Sequence, residues 1–177
     1  MEMRGVTKRF PGVLALDDVS FSIAPGEVVA LIGENGAGKS TLMKVLGGVH
    51  APDEGSLYID GQPVRIQSVA DANAVGIGFV HQELNVLDNL DVGANVLLGR
   101  EPLCGGVLKL IDTARMHTLV SPFLEQLGLE LAPDTPLKDL SIGQQQLVEI
   151  AKALSMDARV IIMDEPTSSL TLQETDK

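Results

Sequence analysis

Gly33-Glu34-Asn35-Gly36-Ala37-Gly38-Lys39-Ser40 is a glycine-rich octapeptide. It matches the pattern G-x-x-x-x-G-K-[ST] in full. Upstream, Val28-Val29-Ala30-Leu31-Ile32 is a short aliphatic run that reads as a buried strand entering a turn at Gly33. Downstream, Thr41, Leu42, Val45 and Leu46 recur at helical spacing until Gly47-Gly48 stops the helix. Glycines let a backbone approach an anion and turn its N–H groups inward. Lys39 would reach the β- and γ-phosphates of a nucleotide and the Ser40 hydroxyl would ligate Mg²⁺. The helix after them, with Thr41 in its first turn, would point its positive end at the same anion. The plainer reading is a glycine-rich turn. The strand before it and the helix after it favour the phosphate cradle.

A second group of residues fits the same chemistry. Val160-Ile161-Ile162-Met163 reads as a buried strand that ends in Asp164-Glu165-Pro166. Carboxylates just beyond a strand lie at the sheet edge where open α/β folds bind ligands. Asp164 would hold Mg²⁺ through water, and Glu165 would orient or deprotonate an attacking water. Alone, a solvated acidic turn is the commoner meaning of such a pair; beside the glycine-rich loop the chemical meaning is favoured.

The remaining pattern is mixed. Ser56 to Ile59, Asp60-Gly61 and Val64 to Ile66 form a small hairpin, and Gly76 to Val80 reads as a further strand. Met116, Leu119, Val120, Phe123, Leu124 and Leu127 mark one face of a helix closed by Gly128, and Leu147, Ile150, Ala151 and Leu154 mark another. A Gly/Pro-containing loop separates Leu98 from Ile111, and Ala132 to Pro136 is a second break. The expected class is α/β, with a mostly parallel core sheet, an N-terminal antiparallel β portion and a helical part.

Composition narrows the partners. With 177 residues the chain suffices for one domain, and its formal net charge of −11 disfavours nucleic acid and anionic membrane surfaces as partners. A phosphate site made of backbone N–H groups, one Lys and Mg²⁺ is compatible with that charge. Aromatics make up 3% of the chain, so the core must be aliphatic. Cys104 stands alone and allows no intrachain disulfide. Met1 to Phe10 has no apolar stretch of the signal-peptide kind, and no apolar run approaches the ~18 residues that span a bilayer.

Leu140-Ser141-Ile142-Gly143-Gln144-Gln145-Gln146 opens the second amphipathic helix. By itself Ser141 is an ordinary N-cap. Its place shortly before the acidic strand end resembles the LSGGQ signature of the ABC ATPases, and the loop, signature and acidic strand together resemble that family over essentially the whole chain. The resemblance implies an ABC-type P-loop NTPase fold with ATP and Mg²⁺ as ligands. It implies that Ser141 and Gly143 bind the γ-phosphate held by a partner domain's P-loop, and that Gln82 contacts Mg²⁺ and the water. It further implies that Phe10 stacks on adenine and that Ser168 to Thr171 form the D-loop, with Thr171 where many relatives carry Asp.

The signature ending in Gln144-Gln145-Gln146, the string Met163 to Thr171, and Lys8 to Val13 leading to Ala15-Leu16-Asp17 resemble the ribose, galactose and xylose importers, in which one polypeptide carries two ATPase halves. This chain resembles the first half. The resemblance implies transmembrane permease subunits and, indirectly, a periplasmic sugar-binding protein as partners, no nucleic acid, and a place at the cytoplasmic face of the cell membrane. On this reading 1–177 is one partial ATP-binding domain with a helical subdomain at about 83–155. None of His50, His81 and His117 stands at the family's switch position, so a truncated domain with weak turnover and exposed apolar surface is expected. Rival readings are a soluble ABC ATPase acting on DNA or ribosomes, a degenerate nucleotide-binding domain, and a small-molecule kinase or GTPase. The first lacks its long insertions or basic surface, the second is disfavoured by Lys39 and Glu165, and the third by the signature segment.

Overall fold

An antiparallel ladder takes up the start of the chain. The computed structural model describes residues 1–80 and 84–164. The chain divides into two units, Met1–Gly78 and Phe79–Lys177. In the first, β1 (Glu2–Phe10) and β2 (Val13–Ser22) form a hairpin in which Phe10 pairs with Val13, Arg9 with Leu14 and Lys8 with Leu16. Ala15 is therefore an extra residue on β2, a bulge that re-aims its carbonyl out of the ladder. β1 also pairs with β3 (Glu54–Ile59), which pairs with β4 (Gln62–Val64), giving the order β2-β1-β3-β4.

Asp60 and Gly61 link β3 to β4 with φ of 49° and 74°, the two positive values of a type I′ turn. So tight a turn sets Gln62 directly opposite Ile59. The strand consequently occupies 62–64, earlier than the expected Val64 to Ile66, and Ile66 is buried beyond it. The predicted helix is α1 (Lys39–Leu46), which buries Leu42, Met43, Val45 and Leu46. It ends as expected, with the Gly47 N–H donating to the Met43 carbonyl at 2.8 Å. A short helix unseen in the periodicity, α2 (Val69–Ala74), starts where the Ser68 hydroxyl accepts the Asp71 N–H at 3.2 Å. Only Ala72 within it is buried, so it leaves no apolar stripe to read.

One expectation fails. Val28 to Ile32 forms no strand, and Val28 and Ile32 are 97% and 93% exposed. An aliphatic run favours burial, yet a strand also needs a neighbour to receive its ladder. Among the described residues no strand pairs with this run.

β5 (Ile77–Val80) pairs with β8 (Val160–Met163), and the Asp164 N–H donates to the Val80 carbonyl at 3.1 Å. The carboxyl ends of both strands thus lie side by side, and the pair is parallel. Between them come α3 (Val92–Val96), α4 (Thr113–Gln126) and α5 (Ile142–Leu154). Asp91, Asp112 and Ser141 cap their amino ends. These helices share an aliphatic core that includes Val92, Val96, Met116, Val120, Leu147 and Ala151. At five residues α3 is too short to show a helical period. The loop after it holds a small hairpin, β6 (Leu103–Cys104) and β7 (Leu110–Ile111).

The Arg100 guanidinium ties two helix ends together. It donates to the Val96 carbonyl at 3.0 Å and to the Ser155 carbonyl and hydroxyl, both at 2.8 Å. A cation at the carboxyl ends of α3 and α5 complements both helix dipoles. Among the described residues no helix is long and apolar enough to cross a membrane.

Candidate functional site

The glycine-rich loop is built to leave donors unspent. Gly36 and Gly38 have φ of 85° and 88°, a region that side-chain-bearing residues avoid. At Gly38 there is a second constraint, because a Cβ would lie 2.7 Å from the Ala15 carbonyl oxygen and 3.2 Å from Leu16. The bulge in β2 therefore presses against the loop where α1 begins. At Gly33 a Cβ would meet that of Ala37 at 3.3 Å, and the Ala37 N–H donates to the Glu34 carbonyl at 3.2 Å, closing the loop on itself. Gly33, Glu34, Asn35, Gly36, Ala37 and Ser40 are exposed, and Gly38, Lys39 and Thr41 are partly so.

Gly38 is the N-cap of α1 and supplies no side-chain acceptor, and the first turn carries no carboxylate. The first hydrogen bond of the helix runs from the Leu42 N–H to the Gly38 carbonyl at 2.9 Å. The N–H groups of Lys39, Ser40 and Thr41 precede it and have no acceptor within the helix. Three backbone donors, two hydroxyls and an ammonium thus open at one exposed helix start, an arrangement that suits a polyphosphate. The Lys39 ammonium lies across the loop, donating to the carbonyls of Gly33 at 2.6 Å and Glu34 at 2.9 Å. A phosphate would replace these neutral acceptors with charged ones, which bind an ammonium more strongly.

The amino end of α5 is arranged differently. Ser141 is its N-cap, as its residue type suggests, and forms a reciprocal capping box. Its hydroxyl accepts the Gln144 N–H at 3.2 Å, while the Gln144 side-chain oxygen accepts the Ser141 N–H at 3.0 Å. As an acceptor the Ser141 oxygen is engaged, but its own proton remains available, along with the N–H groups of Ile142 and Gly143 ahead of the first intrahelical bond. Ser141 is exposed and Gly143 is buried.

Asp164 sits at the carboxyl end of β8, half-buried, where a sheet-edge carboxylate was expected. Glu165, Gln82, His81 and the Ser168 to Thr171 segment lie outside the described residues. Among the described residues no three or more His, Cys, Asp or Glu side chains converge in a metal cage. Mg²⁺ carried on phosphates needs only one or two protein oxygen donors, and within the first unit the exposed Ser40 hydroxyl is such a donor type.

Phe10 ends β1 at the hairpin turn, and its register sets it two residues from the bulged Ala15 that abuts Gly38. Its ring is partly exposed and meets the His50 ring edge-on, with centroids 5.2 Å apart and planes at 74°. The Lys8 ammonium stands 5.6 Å from the centroid of the same ring. Neither His50 nor Ala15 carries a local sequence signal for this role. Their part emerges only from the strand register and the return of the chain after α1.

The ABC transporter family matches residues 16–168. A ribose import ATP-binding protein of Rubrobacter xylanophilus is 50% identical over 98% of the chain, and a xylose import ATP-binding protein of Geobacillus kaustophilus is 48% identical over 97%. The chain spans about a third of the length of the curated relatives it matches, 34% of each of these two. Among solved structures, the ADP conformation of an ATP-binding cassette of an ABC transporter superposes with a TM-score of 0.81 at 29% identity, over 99% of this chain and 72% of the other. A dimeric bacterial ABC transporter cassette gives 0.79 at 29% identity, over 99% and 78%. The family match across residues 16–168, well over half the chain, makes this chain a member of the ABC transporter family, of the ATP-binding cassette kind.

Proposed function

We propose that this chain is the first ATP-binding half of an importer of monosaccharides of the ribose, galactose and xylose type. The observation that carries the nucleotide part is the start of α1, where the backbone is held open by Gly36 and Gly38 and no side chain caps the helix. The sugar class is supported by what the similar proteins are named for. The chain acts as one partial cassette whose residues from about 83 to about 155 form a helical subdomain. The permease subunits meet it through the stretch from Gln82 to Leu98, at the cytoplasmic face of the membrane, and a periplasmic sugar-binding protein delivers the sugar to them.

In this reading Lys39 and the N–H groups of the loop bind the β- and γ-phosphates, and Phe10 stacks on the base. Ser40, Asp164 and Gln82 would hold Mg²⁺, which when bound neutralises charge on the phosphate oxygens. Glu165 orients and deprotonates the attacking water, and Lys39 stabilises the charge that develops as the γ-phosphoryl leaves. Ser141 and Gly143 serve the opposite nucleotide, held by the second ATPase half, with the Ser141 hydroxyl donating while its oxygen keeps the capping bond. Turnover by this chain alone is then slow, because the second half of each site comes from another cassette.

Calorimetry with Mg²⁺-ATP tests the reading. Lys39→Ala should weaken binding by roughly ten- to a hundredfold, the worth of one charged hydrogen-bonding group. Equal binding by the chain and by Lys39→Ala, or none by the unmutated chain, would contradict it.

A further inference from the structure

The surroundings of Phe10 assign a role to a residue that no motif includes. After α1 ends at Gly47, the chain turns back, and the N–H groups of Val49 and His50 both donate to the Lys44 carbonyl, at 2.8 and 3.1 Å. This fixes His50 to the last turn of the helix whose first turn forms the phosphate loop. The His50 ring then packs edge-on with Phe10, at 5.2 Å and 74°. On the strand side, Asp53 pairs with the Lys8 ammonium at 3.0 Å and accepts the Arg9 N–H at 2.6 Å, and its own N–H donates to the Thr7 carbonyl at 2.9 Å. The backbone that carries Phe10 is thereby clasped to the segment that carries His50, only three residues before Asp53.

We infer that His50 is a positioning residue for base recognition, holding the Phe10 ring at the orientation that stacks on the purine of ATP. The inference rests on the reading of Phe10 as the base-stacking residue. A phenyl ring on a partly exposed strand end can turn about two side-chain torsions, and stacking on a flat base uses only one of the resulting orientations. An edge-on aromatic neighbour removes that freedom before the nucleotide arrives, so less entropy is lost on binding. Because His50 is anchored to α1, the ring it orients is kept in register with the helix that receives the phosphates.

The test separates the base from the phosphates. Affinities for Mg²⁺-ATP and for Mg²⁺-tripolyphosphate are measured on the full chain and on Phe10→Ala, His50→Ala and His50→Phe. His50→Ala should weaken ATP binding about fivefold, the scale of one edge-on aromatic pair, and leave tripolyphosphate binding unchanged. His50→Phe, which keeps an aromatic edge, should restore ATP binding. Phe10→Ala should lose at least as much ATP affinity, again with tripolyphosphate unaffected. If Phe10→Ala leaves the ratio of the two affinities as it was, the base-stacking reading fails and the inference with it. If Phe10→Ala lowers the ratio but His50→Ala does not, base stacking stands and the role of His50 is overturned. A His50→Ala variant that loses both ligands equally would show packing alone, and would overturn it too.

Discussion

The amino ends of α1 and α5 belong to two different units and meet the same physical problem in opposite ways. Each helix start leaves backbone N–H groups without acceptors. At α5 a side chain satisfies one of them, the Gln144 N–H, through the reciprocal box of Ser141 and Gln144. At α1 the chain satisfies none with a side chain, and begins instead on a glycine at a φ of 88°, pressed by the Ala15 carbonyl. The first arrangement is stable without a ligand. The second leaves its donors open, at the cost of local stability. A capped end suits a role in which the helix only approaches a phosphate already held elsewhere, and an uncapped end suits the role of holding it.

The sharpest break in this contrast is Gly38→Ala. It forces a side chain into a left-handed backbone against Ala15, a strain of about 1–3 kcal/mol, and should remove the loop geometry altogether. ATP affinity should fall by at least about a hundredfold, as several charge-assisted hydrogen bonds go together. Denaturant unfolding and calorimetry read the two losses separately. Ser141→Ala should do the reverse at α5, costing about 1 kcal/mol of stability through the lost cap while leaving the chain's own ATP affinity intact. In a chain of this size that is a melting temperature lower by roughly 2–4 °C.

Ile32 lies just before the phosphate loop and is almost wholly exposed, so Ile32→Gln should shift stability by no more than roughly 0.5 kcal/mol. With the aliphatic run open to solvent, the same change should reduce self-association in light scattering, and unchanged association would place the sticky surface elsewhere. The smallest effect concerns acid. The Arg9 N–H, and after it Lys8, hold the Asp53 carboxyl below its ordinary pKa. A carboxyl depressed in the folded state stabilises the protein above its unfolded pKa and loses that contribution as pH falls through the folded value. Acid titration of the unmutated chain should therefore show a slightly steeper loss of stability, below the ordinary carboxylate range, than titration of Asp53→Asn.

The two helix starts were unequally legible in the sequence. Gly33 to Ser40 announces itself because glycines at fixed offsets before Lys and Ser, followed by a helical stripe, favour one reading over a plain turn, and α1 keeps that stripe. Ser141 reads from its residue type as an N-cap, whereas its reciprocal partnership with Gln144 emerges only in the structure. The run Val28 to Ile32 misled because composition reports a preference for burial and says nothing of whether a ladder partner is present. The short helices α2 and α3 escaped because six and five residues cannot display a helical period. The bulge at Ala15 and the approach of His50 to Phe10 were hidden for a different reason. They depend on strand register and chain return, which couple residues far apart in sequence and leave no local signature.

The most direct measurement is a pair of Mg²⁺-ATP titrations, one on Gly38→Ala and one on Ser141→Ala, each beside the unmutated chain. If the open end of α1 is the receptor and the capped end of α5 serves another nucleotide, binding is lost in the first variant and unchanged in the second. Binding retained in Gly38→Ala, or lost equally in Ser141→Ala, would contradict the division of labour between the two helix ends.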